Sequence, residues 1–375
     1  MTVATAPTRW ARWTRSPYAP GLALYAAARL VTLAAVAIGD LVRHHSFVGS
    51  LSTWDGAWFL RAADHGWPSH LPTVGGHVAG SPIAFFPLFP LLLRGLHEVT
   101  GLSTAVAGLW VSALSGAVAV VAVGRLARFV ADEDVARRAA ILLALSPGGF
   151  VFSLIYNEGI VITLSAAVLW ALMTRRWLLA GALGALATGT SPAALILAGV
   201  ALWCAARAIH LRREWRSLAA PAIIPAGFLA WTGYLWAHTG TPRAWQLTER
   251  GGWNSYPSLL YPVRVIGKFV TNPLSPTMTG QILVAGTVVA VAGLVLLYRE
   301  HLAGELALYS TLAVGLFAIS APVGLRPRFL MLVFPLVIAA AVRWRGRAFL
   351  VVSSASALGL ALMSVETLHS WAVFP

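Results

Sequence analysis

One cysteine, one lysine and 13 acidic residues are all that the 375 residues hold of these types. With Cys204 alone, inside an apolar run, no intramolecular disulfide and no thiolate metal cluster can form. Charged residues make up 11% of the chain, far below the roughly one quarter of a soluble domain, which excludes an ordinary water-facing surface. Long polar stretches are missing too. The longest polar connections, near 40–81 and 239–279, are each about 40 residues, too short for a second folded core. Neither a low-complexity tail nor an internal repeat stands out.

What the chain has instead is apolar sequence: 58% hydrophobic residues and a mean hydropathy of +0.75. Apolar runs of about 16–22 residues recur along its length, close to the ~20 needed to cross about 30 Å of hydrocarbon as a helix. The fold class expected is an all-α polytopic membrane protein, with residues 1–375 forming one transmembrane domain. The net charge of +14 does not indicate nucleic-acid binding, because the arginines flank the apolar runs and form no basic face.

Eleven spans fit the pattern, at about 20–39, 103–124, 139–154, 159–174, 177–190, 191–209, 218–238, 280–298, 303–321, 327–342 and 348–366. Ala35-Val36-Ala37 resembles a signal-peptidase site, but the segment before it is long and holds Arg29, so it reads as a retained first span, with Arg29 pairing inside the bundle. An N-terminus inside the cytoplasm puts 17 arginines on that side, Arg9, Arg12 and Arg15 among them, against nine basic residues outside. Pro82–His97 is apolar but short and broken by Pro87 and Pro90. It is expected as a re-entrant or surface-lying helix outside, because a crossing here would turn Arg125–Arg138 outward. Extracytoplasmic loops then cover about 40–102 and 239–279, and they carry the polar chemistry.

The richest of these stretches is Ser52-Thr53-Trp54-Asp55-Gly56-Ala57-Trp58-Phe59, an acid among aromatics. Trp54–His65 reads as a short helix with Ser52 as N-cap and Gly66 as stop. Ser52-x-x-Asp55 is a capping-box spacing, so Asp55 could serve only a backbone N–H. A carboxylate at a helix start can equally stay ionised and take a proton from a hydroxyl. Asp64-His65, His70 and His77 lack metal-ligand spacing and read as helix-surface or loop residues, and no metal is expected. Asp132-Glu133-Asp134 has an Asp-x-Asp look but sits where helix-start acids are ordinary. Glu158, after Tyr156-Asn157, is a carboxylate close to hydrocarbon: either a helix-start acid or an acceptor-positioning group. Arg326-Pro327-Arg328 offers guanidinium forks to a phosphate at headgroup depth, the plain reading being lipid snorkelling. Arg250, Arg264 and Lys268 are weaker candidates for the same work.

In order, Trp54-Asp55 with Phe59, Ala84-Phe85-Phe86-Pro87-Leu88-Phe89-Pro90-Leu91, Ser153-Leu154-Ile155-Tyr156-Asn157-Glu158, and Arg328-Phe329 through Phe334-Pro335 resemble the PIG-V type mannosyltransferases of the C-type glycosyltransferase superfamily. One departure is Thr190-Ser191-Pro192, where a Thr-Arg-Pro-like turn is expected. The resemblance implies an inverting transfer of a sugar, mannose by preference, from a polyprenyl-phosphate donor to a lipid-linked or otherwise membrane-associated acceptor. It implies a bacterial plasma-membrane enzyme working on the extracytoplasmic side without a cofactor. Asp55 would be the general base, Arg326 and Arg328, helped by Arg264 and Lys268, would hold the donor phosphate, and Trp54, Asp64, Tyr156, Asn157 and Glu158 would position acceptor or sugar. The competing class is a lipid or solute transporter, suggested by the broken span at Gly189–Pro192. Against it, Arg29 is the one ionisable residue placed clearly inside a span.

Overall fold

In the computed structural model, residues 16–43, 46–271 and 278–365 are described, and they are overwhelmingly helical. Arg9, Arg12 and Arg15 lie outside the described residues. Six helical segments are long and apolar enough to cross a membrane: Ala19–Leu41, Thr104–Val130, Pro192–Arg212, Trp215–Thr239, Gly280–Arg299 and Gly346–Val365. A seventh candidate is a broken pair, Glu133–Ala144 and Pro147–Ser153, bent by 67°. Three more apolar helices, Glu158–Met173, Trp177–Thr188 and Gly304–Ile319, are shorter than a full crossing. The 327–342 segment is likewise divided, into helices Pro327–Leu332 and Pro335–Arg343. Each of the eleven expected spans thus has a helical counterpart, but six have full length, and the count of eleven is not established. Proline explains the breaks, since Pro147, Pro192, Pro327 and Pro335 each open a new helical segment where the missing N–H costs nothing.

Side-chain size decides which faces meet. Ala107, Ala119, Ala127, Ala136, Ala139 and Ala140 are fully buried where the Thr104–Val130 and Glu133–Ala144 helices meet their neighbours, because small residues let helix backbones approach. Outward, Leu30, Leu41, Leu114, Leu202, Val288 and Val351 are more than half exposed, an apolar exterior of the kind that faces lipid. This is a multi-pass membrane protein. Arg29 finds no carboxylate among the described residues. It donates to the Gly149 carbonyl and lies over the rings of Tyr25 and Phe152, at 5.3 and 5.9 Å, so its expected pairing takes the form of a carbonyl contact and two cation–π contacts.

Pro82–His97 folds as one 3₁₀ turn, Pro82–Ala84, and a helix, Leu88–Thr100, ended by Gly101 at φ 72°. Thirteen residues at 1.5 Å each reach about 20 Å, short of a crossing. Phe89 and Leu93 bury one face while Leu91 and Leu92 stay exposed, so the helix lies on the bundle. Asp132 accepts from the Val135 N–H at 2.7 Å, Glu133 pairs with Arg128 and Asp134 with Arg137, which is the structural reading of that acidic triplet.

Two short antiparallel pairs organise the loops. Thr73–Val74 pairs with His77–Val78, and Tyr256–Pro257 pairs with Ser320–Ala321 in the register Tyr256↔Ala321. The second pair ties the 239–279 loop to the segment leading into Arg326 and Arg328.

Candidate active site

Asp55 opens the helix Asp55–His65, but not as a capping box. Ser52 ends the preceding Phe47–Leu51 helix, and its hydroxyl donates to the Val48 carbonyl at 2.6 Å. The N-cap is Trp54, held at φ 59° and ψ −126° with no side-chain cap, a conformation costing about 1–3 kcal/mol for a bulky residue. Freed from capping, the Asp55 carboxylate reaches Arg328, Oδ2 to Nη1 at 2.7 Å. Glu158 takes the other edge of the guanidinium, Oε1 to Nε at 2.6 Å. The Tyr156 and Phe329 rings both contact that guanidinium, each with its centroid 4.7 Å from Cζ. One arginine therefore meets two carboxylates and two aromatic rings.

The supports of this network are also in place. Tyr156 is buried, and its hydroxyl accepts the Asp55 backbone N–H at 3.4 Å. Ser112, on the Thr104–Val130 helix, clamps both the N–H and the carbonyl of Tyr156 at 2.9 Å. Gly148 lets the Pro147–Ser153 turn touch the chain before Arg328, since a Cβ there would stand 2.3 Å from the Pro327 carbonyl oxygen. Gly148→Val is expected to destabilise the protein by about 1–3 kcal/mol by overpacking. A melting temperature in detergent checks this.

The other expected site residues are placed as follows. Asp64 lies nine residues after Asp55, half a turn out of phase on the same helix, and is exposed on the opposite face. Asn157 is half-buried, and its Nδ2 donates to the Thr190 carbonyl at 2.9 Å, tying it to the 188–192 turn. Tyr156 and Glu158 are buried, with Arg328 against both and the Asp55 N–H on the Tyr156 hydroxyl. Arg328 lies at ion-pair distance from both carboxylates, while Arg326 is half-buried near Asp55 and Tyr261. Arg264 and Lys268 are exposed on the amphipathic helix Tyr261–Thr271, outside the ion-pair network. Trp54 packs partly buried against the main core. Among the described residues, no three His, Cys, Asp or Glu side chains gather as metal ligands do.

Sequence reasoning missed Glu249. It sits half-buried on the helix Ala244–Trp253, and its carboxyl is pushed up to about 7, first by burial and then by the negative charge of Asp55, with Ser255 and Trp245 opposing. The signal was present as Trp245-x3-Glu249-x3-Trp253, a spacing that puts an acid between two indoles on one helical face.

A family model described as Mannosyltransferase (PIG-V) matches residues 22–219, more than half of the chain. The protein belongs to the PIG-V mannosyltransferase family. The matched stretch of this family member holds Asp55, Tyr156 and Glu158 and stops before Glu249, Arg326 and Arg328. A glycosyltransferase is thereby supported, in a multi-pass membrane setting. Among solved structures, the oligosaccharyltransferase of Archaeoglobus fulgidus in its apo form aligns at 16% identity and a TM-score of 0.46, over 94% of this chain and 55% of that one. The same organism's oligosaccharyltransferase AglB, in complex with an inhibitory peptide and a dolichol-phosphate, aligns at 15% identity and 0.48, over 94% and 56%. The chain spans about half the length of these enzymes. No curated protein matches it.

Proposed function

We propose that this PIG-V family member transfers mannose, with inversion, from a polyprenyl-phosphate carrier to a hydroxyl of a membrane-associated acceptor on the extracytoplasmic face. The observation that carries this reading is Asp55, presented at a helix start and fixed by Arg328, with one carboxylate oxygen left uncommitted by that ion pair.

The acceptor oxygen attacks the anomeric carbon as its proton passes to Asp55. The bond from that carbon to the phosphate oxygen breaks, and the electron pair leaves with the phosphate. A glycosidase of inverting type needs a second carboxyl to protonate a poor leaving group. A phosphate leaves as a stabilised anion, so cations suffice. Arg326 is the cation best placed for that phosphate, while Arg264 and Lys268, on an exposed amphipathic helix, suit recruitment of the carrier headgroup at the interface. Arg328, gripped by Glu158 and stacked on Tyr156, orients Asp55. The arginine asymmetry across the spans supports the extracytoplasmic placement.

Purified protein in lipid, given polyprenyl-phosphate-[¹⁴C]mannose, should form labelled glycolipid, whereas a nucleotide-diphosphate mannose should not serve. Transfer from the nucleotide sugar and not from the lipid donor would remove the donor assignment. Movement of intact lipid donor across sealed vesicles without a glycosidic product would favour a transporter.

A further inference from the structure

The helix Tyr261–Thr271 has no buried residue, and its side chains fall on three sides. At about 100° per residue, Tyr261, Pro262, Val265 and Phe269 share one side, and all four are half-buried. Val263, Ile266 and Val270 share a second side and are 65, 45 and 68% exposed. Leu259 and Leu260, in the turn before the helix, are exposed as well and extend that apolar patch. Arg264 and Lys268, one turn apart, are exposed on the third side. The protein covers the first side and leaves an apolar side and a basic side open.

Three ties fix this orientation. Tyr256–Pro257 pairs with Ser320–Ala321, the Ser258 N–H donates to the Ile319 carbonyl at 2.7 Å, and the Tyr261 hydroxyl donates to the Pro322 carbonyl at 2.8 Å. Gly324, at φ 64°, makes the close approach possible, since a Cβ there would stand 2.5 Å from the Leu283 side chain and 3.2 Å from the Tyr261 ring. Leu283 belongs to the first turn of the span Gly280–Arg299, so the helix begins at the level where that span enters hydrocarbon. Its open apolar side is held at the boundary between water and acyl chains.

Charge identifies what covers it. From Arg250 to Arg299 the sequence has no acidic residue, and Lys268 is the single lysine of the chain. An apolar side flanked by cations and free of acids is complementary to an anionic leaflet, with aliphatic groups among the acyl chains and cations among the phosphates. We propose that the Tyr261–Thr271 helix docks on anionic phospholipid in the leaflet on the Arg326 side: Val263, Ile266 and Val270 enter the acyl boundary, and Arg264 and Lys268 contact headgroup phosphates. Each cation at that depth favours anionic lipid by up to about 5-fold. The three ties make the docked helix a second hold on the segment that leads into Arg326. A carrier headgroup reaches the helix by exchanging for one of these lipids.

The test uses the full-length protein carrying Cys204→Ala, in nanodiscs of phosphatidylcholine and phosphatidylglycerol with no sugar donor added. A nitrobenzoxadiazole label placed through Ile266→Cys should be quenched by chain-brominated lipid, and one placed through Lys268→Cys should be quenched less. At equal mole fraction, brominated phosphatidylglycerol should quench the Ile266→Cys label more than brominated phosphatidylcholine does. Arg264→Gln combined with Lys268→Gln should abolish that difference, and 1 M salt, where the screening length is about 3 Å, should shrink it.

An Ile266→Cys label quenched no more than the Lys268→Cys label would overturn the docking, because a protein surface or a second copy of the chain would then cover the apolar side. Quenching that does not distinguish the two headgroups would overturn the anionic partner. With no donor present, neither result depends on the transfer reaction proposed above.

Discussion

Asp55→Asn will cut mannose transfer by about 10²–10⁴-fold, the usual worth of a positioned acid–base group, while the protein keeps most of its thermal stability. Asparagine matches aspartate in shape and can still accept from Arg328 through its side-chain oxygen, and Arg328 retains Glu158, so the buried cation is not left alone. What asparagine lacks is the capacity to take a proton. The measurement is initial-rate transfer with saturating lipid donor, paired with a melting curve in the same detergent. Full activity in Asp55→Asn would remove Asp55 as base, and a collapse of melting temperature would show that its charge is chiefly structural. Asp55→Ala serves as the second arm, since it removes the Arg328 contact as well and should lose both rate and some stability.

Arg328→Met should be the most damaging single substitution for folding. The guanidinium stands between Asp55 and a Glu158 carboxylate that is almost fully buried. Methionine fills part of the volume between Tyr156 and Phe329 but leaves two acids facing a neutral side chain. Removing one partner from a buried ion pair costs about 3–5 kcal/mol because the remaining charge is uncompensated. Arg328→Lys should recover less than its charge suggests, because an ammonium cannot fork to two carboxylates while lying flat against a ring. Pairing Arg328→Met with Glu158→Gln should return part of the loss, as the buried acid no longer needs a cation. Melting temperatures of the three variants check this order, and equal stability of Arg328→Met and wild type would contradict it.

How far the sequence revealed this site depends on the residue. Asp55, Tyr156, Glu158 and Arg328 stood out because a polar group next to apolar sequence needs a partner, and the structure brings these four together. Their mutual geometry was hidden, since no spacing rule relates positions in three distant segments. Ser52-x-x-Asp55 left two readings open, a capping box and a free carboxylate, and the structure shows Ser52 closing the preceding helix and Asp55 paired with Arg328. The exposure of Asp64, on the face opposite Asp55, was legible from helical phase alone. Glu249 was passed over because Thr248-Glu249-Arg250 looks like a solvated stretch, and only the indoles four residues to either side distinguish it. Span lengths were legible as hydropathy, but prolines divide the runs in ways that a window average smooths over.

The Arg328 clasp also has a consequence for biosynthesis. Its two acids are made well before its cation, which follows most of the described apolar segments out of the ribosome. Until then Asp55 and Glu158 have no counter-charge and repel each other if brought close. The nascent protein therefore cannot close its reaction centre early, and a polypeptide cut short after residue 219, although it contains the family-matching stretch, would be inert.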